Sequence, residues 1–178
     1  MMKKVAKFEK VSYNEFKEAI LDFYVDNFQM NLEEDDVKRI YDNIKLPKRS
    51  TVGSAGYDFY NNTELDFRLI TNETLKIPTG IRCKMDENWV LMAFPRSGLG
   101  FKYRLQLDNT VGIIDSDYYY SDNEGHIFLK ITNDSKTVKM CDIDKGKAFA
   151  QGIFLPYGIT EDDDATGIRN GGFGSTDK

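Results

Sequence analysis

At 178 residues, with 24 Lys and Arg against 29 Asp and Glu for a net charge of −5, the chain has the length of one domain with a small appendage. Twelve Phe and ten Tyr exclude a largely disordered chain. The acidic balance, without a basic stripe, excludes a polyanion binder, so no nucleic acid partner is expected; a small anion held by a few local donors, or a divalent cation that offsets charge repulsion, is compatible with it.

The first 45 residues read as helix. At Val11-Ser12-Tyr13-Asn14-Glu15-Phe16, Ser12 can cap the N–H of Glu15, Glu15 can reach back to the N–H of Ser12, and Val11 can staple onto Phe16. Phe16, Ile20, Phe23, Tyr24 and Phe28 then recur at helical spacing. A second helix is expected from about Leu32, capped by Asn31 with Glu34 three residues on, with Val37, Ile40, Tyr41 and Ile44 on its apolar side and Pro47 ending it. Both stripes read as packing surfaces for the main domain or a neighbouring subunit.

From residue 50 the texture changes to short β-rich runs: Thr74–Ile77, Ile81–Lys84, Trp89–Phe94, His126–Thr132 and Ala148–Pro156, separated by Gly, Asn, Asp and Pro. This spacing predicts an all-β sandwich or barrel. Pro78, Pro95 and Pro156 fall at run ends, where a missing N–H does little harm. There is no internal repeat or low-complexity segment. The reading divides the chain into a helical extension (1–45), a β domain (46–157) and an acidic, glycine-rich arm (158–178) that orders when something binds. Cys83 and Cys141 match no zinc spacing and read as reduced thiols. No apolar run reaches the roughly 18 residues of a membrane span. The polar stretch after Met1-Met2-Lys3-Lys4 is unlike a signal peptide. A cytoplasmic protein without membrane contact is the expectation.

Several segments carry chemistry, each with a plainer alternative. Arg96-Ser97-Gly98 offers a guanidinium, a hydroxyl and a backbone N–H that can converge on a phosphate, or it is a turn with a surface arginine. Asp115, at the end of an apolar strand, is either a general base for water or a turn aspartate. Tyr118 stacks on a sugar or belongs to the core. Asp58 sits near a metal-bound water or caps a turn; Mg²⁺ prefers oxygen ligands and keeps several waters. Gly171-Gly172-Phe173-Gly174-Ser175-Thr176 reads as a phosphate-binding flap or as a tail. The single histidine, His126, rules out a His-based triad, and reads as structural.

Taken together and in order, these segments resemble the trimeric deoxyuridine triphosphatase (dUTPase) family. Five motifs carry the resemblance: Ala55–Tyr60, Pro95–Gly100, Asn109 with Gly112-Ile113-Ile114-Asp115-Ser116-Asp117-Tyr118, Lys145–Gln151 and Arg169–Thr176, across residues 46 to 178. The resemblance implies an all-β fold, a distorted jelly-roll or β-clip barrel, assembled as a homotrimer with active sites shared between subunits. It implies hydrolysis of dUTP to dUMP and pyrophosphate with Mg²⁺, which limits uracil in DNA and supplies dUMP. Asp115 would activate the attacking water. Arg96, Ser97 and Gly98 would hold phosphates, and Asp58 would touch the waters of Mg²⁺. Asn109 and the hairpin backbone at Gly112, Ile113, Ile114 and Phe128 would frame uracil, while Tyr118 would pack on deoxyribose. Gln151 would contact phosphate or its waters. Phe173 would cover the base, and Arg169, Gly174, Ser175 and Thr176 would close on the terminal phosphates.

The chain departs from the family pattern at three places. Tyr118 is followed by an insertion, 119–124, before Gly125; Arg169 lies one residue nearer Gly-Gly-Phe than in the common form; and the N-terminal 45 residues have no counterpart. That extension is expected on the outside of a trimer or as the seat of a protein partner. The competing readings are a dCTP deaminase of the same fold, and a regulatory binding protein on a dUTPase scaffold.

Overall fold

The structure is a computed structural model that describes residues 3–171. Phe173, Gly174, Ser175 and Thr176, expected over the base and phosphates, lie outside the described residues. The chain opens with a strand, not a helix: β1 (Ala6–Lys10) precedes α1 (Tyr13–Phe28) and α2 (Glu34–Asp42). β1 pairs antiparallel with β6 (Ile81–Met85), Ala6 opposite Met85 and Lys10 opposite Ile81. Phe8 is the one large apolar residue of this strand, so its pairing leaves almost no periodic signal.

Ser12 caps α1 as expected, its Oγ accepting the N–H of Glu15 at 3.2 Å, and Val11 and Phe16 are both buried. The reciprocal half of the capping box is different. The N–H of Ser12 goes to Glu124 Oε2 at 2.7 Å, while Glu15 turns to His126. α2 starts two residues later than expected, with Glu33 rather than Asn31 at its N-cap and no side-chain cap. Glu34, Asp35 and Asp36 fill its first turn instead, where negative charge favours the unpaired N–H groups.

The helices share one core with the β domain. Phe16, Ile20, Phe23, Tyr24, Val37, Ile40 and Ile44 are buried in the same cluster as Phe59, Phe67, Ile77 and Ile81. Phe28 stacks on Phe67 with ring centroids 6.0 Å apart, and the Tyr24 hydroxyl donates to the carbonyl of Thr63 at 2.5 Å.

The remaining elements are β2 (Lys48–Arg49), β3 (Tyr57–Tyr60), β4 (Phe67–Leu69), β5 (Thr74–Pro78), β6, β7 (Trp89–Pro95), α3 (Ser97–Tyr103), β8 (Leu105–Leu107), β9 (Gly112–Ile114), a 3₁₀ turn (Ser116–Tyr120), β10 (Phe128–Asn133), β11 (Cys141–Ile143) and β12 (Ala148–Pro156). The main sheet runs β2-β3-β12-β7-β9, the second β5-β10-β8, and β1-β6 and β4-β11 form two-stranded ribbons. The class is mostly β and of jelly-roll type, but among the described residues these sheets do not close into a barrel. Pro78, Pro95 and Pro156 each end a strand. Cys83 and Cys141 are buried, unpaired thiols, and burial raises them to about 12 and about 11. No helix among the described residues is long and apolar enough to cross a membrane.

Candidate active site

The tight hairpin turn between β8 and β9, closed by a single bridge between Leu107 and Thr110, builds one wall of a cavity of about 450 Å³. Thr110 takes φ 61° and its N–H meets the carbonyl of Leu107 at 2.8 Å. Gly112 then lets β9 lie close on β7, since a Cβ there would stand 3.2 Å from that of Ala93. Asn109, Gly112, Ile113, Ile114 and Asp115 line the cavity from this hairpin. Tyr118, Phe128 and Arg169 complete the set of sequence-predicted residues that converge here.

Tyr118 is buried in the core and also lines the cavity. Its hydroxyl donates to the carbonyl of His126 at 2.8 Å and accepts from the Asn123 amide at 2.9 Å. Desolvation raises its pKa. Three charged lining residues carry no signal in the motif pattern: Lys76, Asp108 and Lys130. Lys76 places its ammonium 4.5 Å from the centre of the Phe128 ring. Asp108 pays a burial penalty, yet Lys130 at 2.8 Å and the Thr132 hydroxyl hold it below the usual carboxylate range. Lys76 sits on β5 and Lys130 on β10, brought to the hairpin by sheet pairing, while Asp108 follows β8 in the hairpin turn itself, its N–H meeting the carbonyl of Lys130 at 3.0 Å.

Arg169 lies against carboxylates. Its Nη2 is 2.6 Å from Asp115 Oδ2 and its Nε 2.9 Å from Asp117 Oδ1. The carbonyl of Asn170 accepts the N–H of Asp122 at 3.2 Å. Residues 169 and 170 of the arm are therefore seated at the cavity mouth despite the short approach of Arg169 to the Gly-Gly-Phe segment.

The phosphate-grip residues form a second, more open cleft of about 620 Å³, lined by Arg96, Ser97, Gly100, Phe101 and Gln151 among others. β12 runs between β3 and β7, which puts Gln151 opposite both Asp58 and Phe94. Its amide donates to the carbonyl of Pro95 at 3.2 Å. Gly56 leaves room for that side chain, because a Cβ there would lie 2.5 Å from Gln151 Oε1. Arg96 Nε stands 3.3 Å from Asp58 Oδ1, and Ser50 donates to the other oxygen at 2.9 Å. The space beside Gly98 is open, leaving its backbone approachable. The two clefts share no lining residue.

Among the described residues no group of three or more His, Cys, Asp or Glu converges as a metal cage. Asp58 is a lone carboxylate beside Arg96. That donor set suits a hydrated Mg²⁺ carried largely by substrate oxygens, not one held by protein ligands alone.

Comparison with known proteins places these features in one family. The dUTPase family model matches residues 42–177. The deoxyuridine 5'-triphosphate nucleotidohydrolase of Lactococcus lactis is 41% identical over 138 residues, covering 75% of this chain and 88% of the relative. That of Sodalis glossinidius is 35% identical over 143 residues, covering 77% and 90%. Among solved structures, the dUTPase of Streptococcus mutans matches with a TM-score of 0.59 at 28% identity, covering 86% of this chain and 98% of that one. A Staphylococcus bacteriophage 80alpha dUTPase shares the fold, with a TM-score of 0.55, at 23% identity over 75% and 92%. With its motif residues gathered around the hairpin cavity and the grip cleft, the chain belongs to the dUTPase family.

Proposed function

We propose that this chain hydrolyses dUTP to dUMP and pyrophosphate by attack of water on the α-phosphorus, with Mg²⁺. dUTP hydrolysis is the activity that family membership brings; the roles of individual residues are the proposal. The observation that carries it is the convergence of Asn109, Gly112, Asp115, Tyr118 and Phe128 on one cavity of nucleoside size.

In this reading the hairpin backbone and Asn109 bond the uracil edge, and its narrow turn leaves no room for a methyl group. Tyr118 packs on the deoxyribose; because it is pinned at its hydroxyl, it resists a 2′-OH. Asp115, at the rim, orients the nucleophilic water and takes its proton. Arg96, Ser97 and the N–H of Gly98 hold the phosphates and stabilise charge as it develops. Mg²⁺, when bound to the triphosphate, withdraws charge from the phosphoryl oxygens. Asp58 would hold its waters, and Gln151 would order the phosphate side of the network.

The separation of the two clefts supports a homotrimer with shared sites: a nucleotide in the hairpin cavity of one subunit needs a grip from another. Arg169 exchanges its carboxylates for terminal phosphates as the arm closes, with Phe173 over the base and Gly174, Ser175 and Thr176 on the phosphates. Residues 46–157 thus act as the nucleotide-handling domain and 158–178 as its cover. The deciding experiment is pyrophosphate release from dUTP, dCTP, dTTP and UTP with Mg²⁺. Turnover confined to dUTP supports the proposal; ammonia from dCTP would sink it.

A further inference from the structure

His126 lies behind the nucleoside cavity and takes no part in the proposed chemistry. It is fully buried, yet every polar atom it presents is used. Nε2 accepts the N–H of Gly80 at 2.9 Å. A backbone N–H can only donate, so the ring proton sits on Nδ1, which faces Glu15 Oε1 at 3.0 Å. Its carbonyl receives the Tyr118 hydroxyl at 2.8 Å and the Asn123 amide at 3.3 Å. Its ring lies on that of Phe128, with centroids 4.3 Å apart. Two walls of the cavity, Tyr118 and Phe128, therefore rest on one histidine, and one carboxylate from α1 orients its ring.

The supports of that carboxylate are the two segments that depart from the family pattern. Glu124, in the insertion region, takes the N–H of Ser12 and so leaves Glu15 available to His126. Tyr119, also in the insertion, donates to Glu9 on β1 at 2.7 Å. The Gly80 turn is clamped in the same place: its carbonyl accepts the N–H of Val11 at 3.1 Å, and a Cβ on it would stand 2.6 Å from Ile44 and 3.0 Å from Phe16. Extension, insertion and cavity wall are one connected structure.

We propose that Glu15 and His126 are positioning residues for the nucleoside pocket, and that the N-terminal extension and the 119–124 insertion together form a brace that holds Tyr118 and Phe128 against the sugar and base. The proposal rests on dUTP binding in the hairpin cavity. Glu15 touches no reacting atom, so loosening the brace weakens nucleotide binding and sugar discrimination without altering the chemical step.

The test is steady-state pyrophosphate release by the full chain with dUTP and UTP, alongside thermal melting. Glu15→Ala is expected to raise KM for dUTP about tenfold, the effect of leaving a buried ring N–H without its acceptor. Its kcat stays within about twofold of wild type, and its preference for dUTP over UTP narrows. Glu15→Gln, which keeps an acceptor oxygen, restores most of the KM. Ile20→Val loosens the same helix without touching His126 and leaves KM unchanged. Should Glu15→Ala not fold, Glu15→Asp shortens the reach by one methylene and still raises KM severalfold. A KM indifferent to Glu15, or one raised as much by Ile20→Val, overturns the inference while leaving dUTP hydrolysis intact. A wild-type chain that releases no pyrophosphate from dUTP instead brings down the reading of the site itself.

Discussion

Truncating Phe16 to alanine measures how far the N-terminal helices belong to the domain. Phe16 is completely buried and packs beside Tyr41, Ile44 and the Gly80 turn. A phenylalanine side chain buries about 150–250 Å², which at about 25 cal/mol per Å² is worth ~4–6 kcal/mol. Measured Phe→Ala changes in cores cluster at about 3–5 kcal/mol, because the site relaxes in part and alanine keeps some of the contact. For a domain of this size each kcal/mol moves the melting temperature by about 2–4 °C, so the expected fall is about 6–20 °C. Calorimetry at a fixed protein concentration reads it, since an oligomer's melting point depends on concentration. Val25→Ala, on the exposed side of α1, is the control and shifts stability by less than about 0.5 kcal/mol. A loss below about 3 °C for Phe16→Ala would refute the shared core and make the helices a detachable appendage.

Asp115→Asn is expected to cut kcat by at least 10²–10⁴-fold, the usual cost of losing a general base, while leaving stability nearly unchanged. Its pair with Arg169 is half-exposed and contributes about 0–1 kcal/mol; wild-type turnover in this variant would remove Asp115 from the mechanism. Truncation after Gly167 deletes Arg169 and the closing segment, and is expected to lower turnover by more than tenfold with the melting temperature kept; an unaltered rate would make the segment a passive tail. Burial holds His126 below its ordinary value of 6.5, against the pull of Glu15 and Glu124 and with the repulsion of Lys76. The unfolded chain therefore takes a proton near 6.5 that the folded chain refuses, and stability present above 6.5 drains away as the pH falls from there towards the folded pKa, by up to ~1.4 kcal/mol per unit. Urea midpoints at pH 7.5, 6.5 and 5.5 should fall more steeply for wild type than for His126→Gln; parallel slopes would contradict the assignment.

Local chemistry is what the sequence exposes most clearly. The run Ala148–Pro156 is delimited to the residue, because proline ends it and apolar residues fill it. The Ser12 cap stands as read, and Val11 and Phe16, the two residues of the expected staple, are both buried. Asn109, Gly112, Asp115 and Tyr118 fall in one short stretch, so one hairpin and the turn after it were enough to bring them together. What the sequence hides is set by distant partners. β1 exists because β6 is there to pair with it, and a strand with one large apolar side chain has no periodicity to announce this. Lys76 and Lys130 meet the cavity through the pairing of β5, β10 and β8. Glu15 is the instructive case: the capping box assigns its carboxylate to Ser12 by proximity. The folded chain supplies a better-placed carboxylate from Glu124 and uses Glu15 elsewhere. His126 signals nothing in the sequence except that it is alone.

The hydrogen bond between Ser12 and Glu124 spans 112 positions of the chain. At about 5–20 residues per second, a ribosome adds the second partner roughly 6–22 s after the first. Helix α1 is thus synthesised long before the carboxylate that completes its N-terminus, and before the histidine that its own Glu15 awaits. For the first part of that interval it carries Phe16, Ile20, Phe23 and Tyr24 without Phe59, Phe67, Ile77 and Ile81, the strand residues of their shared core. Its native packing waits for a long loop to close, which places this chain among topologies whose folding is slowed by distant contacts.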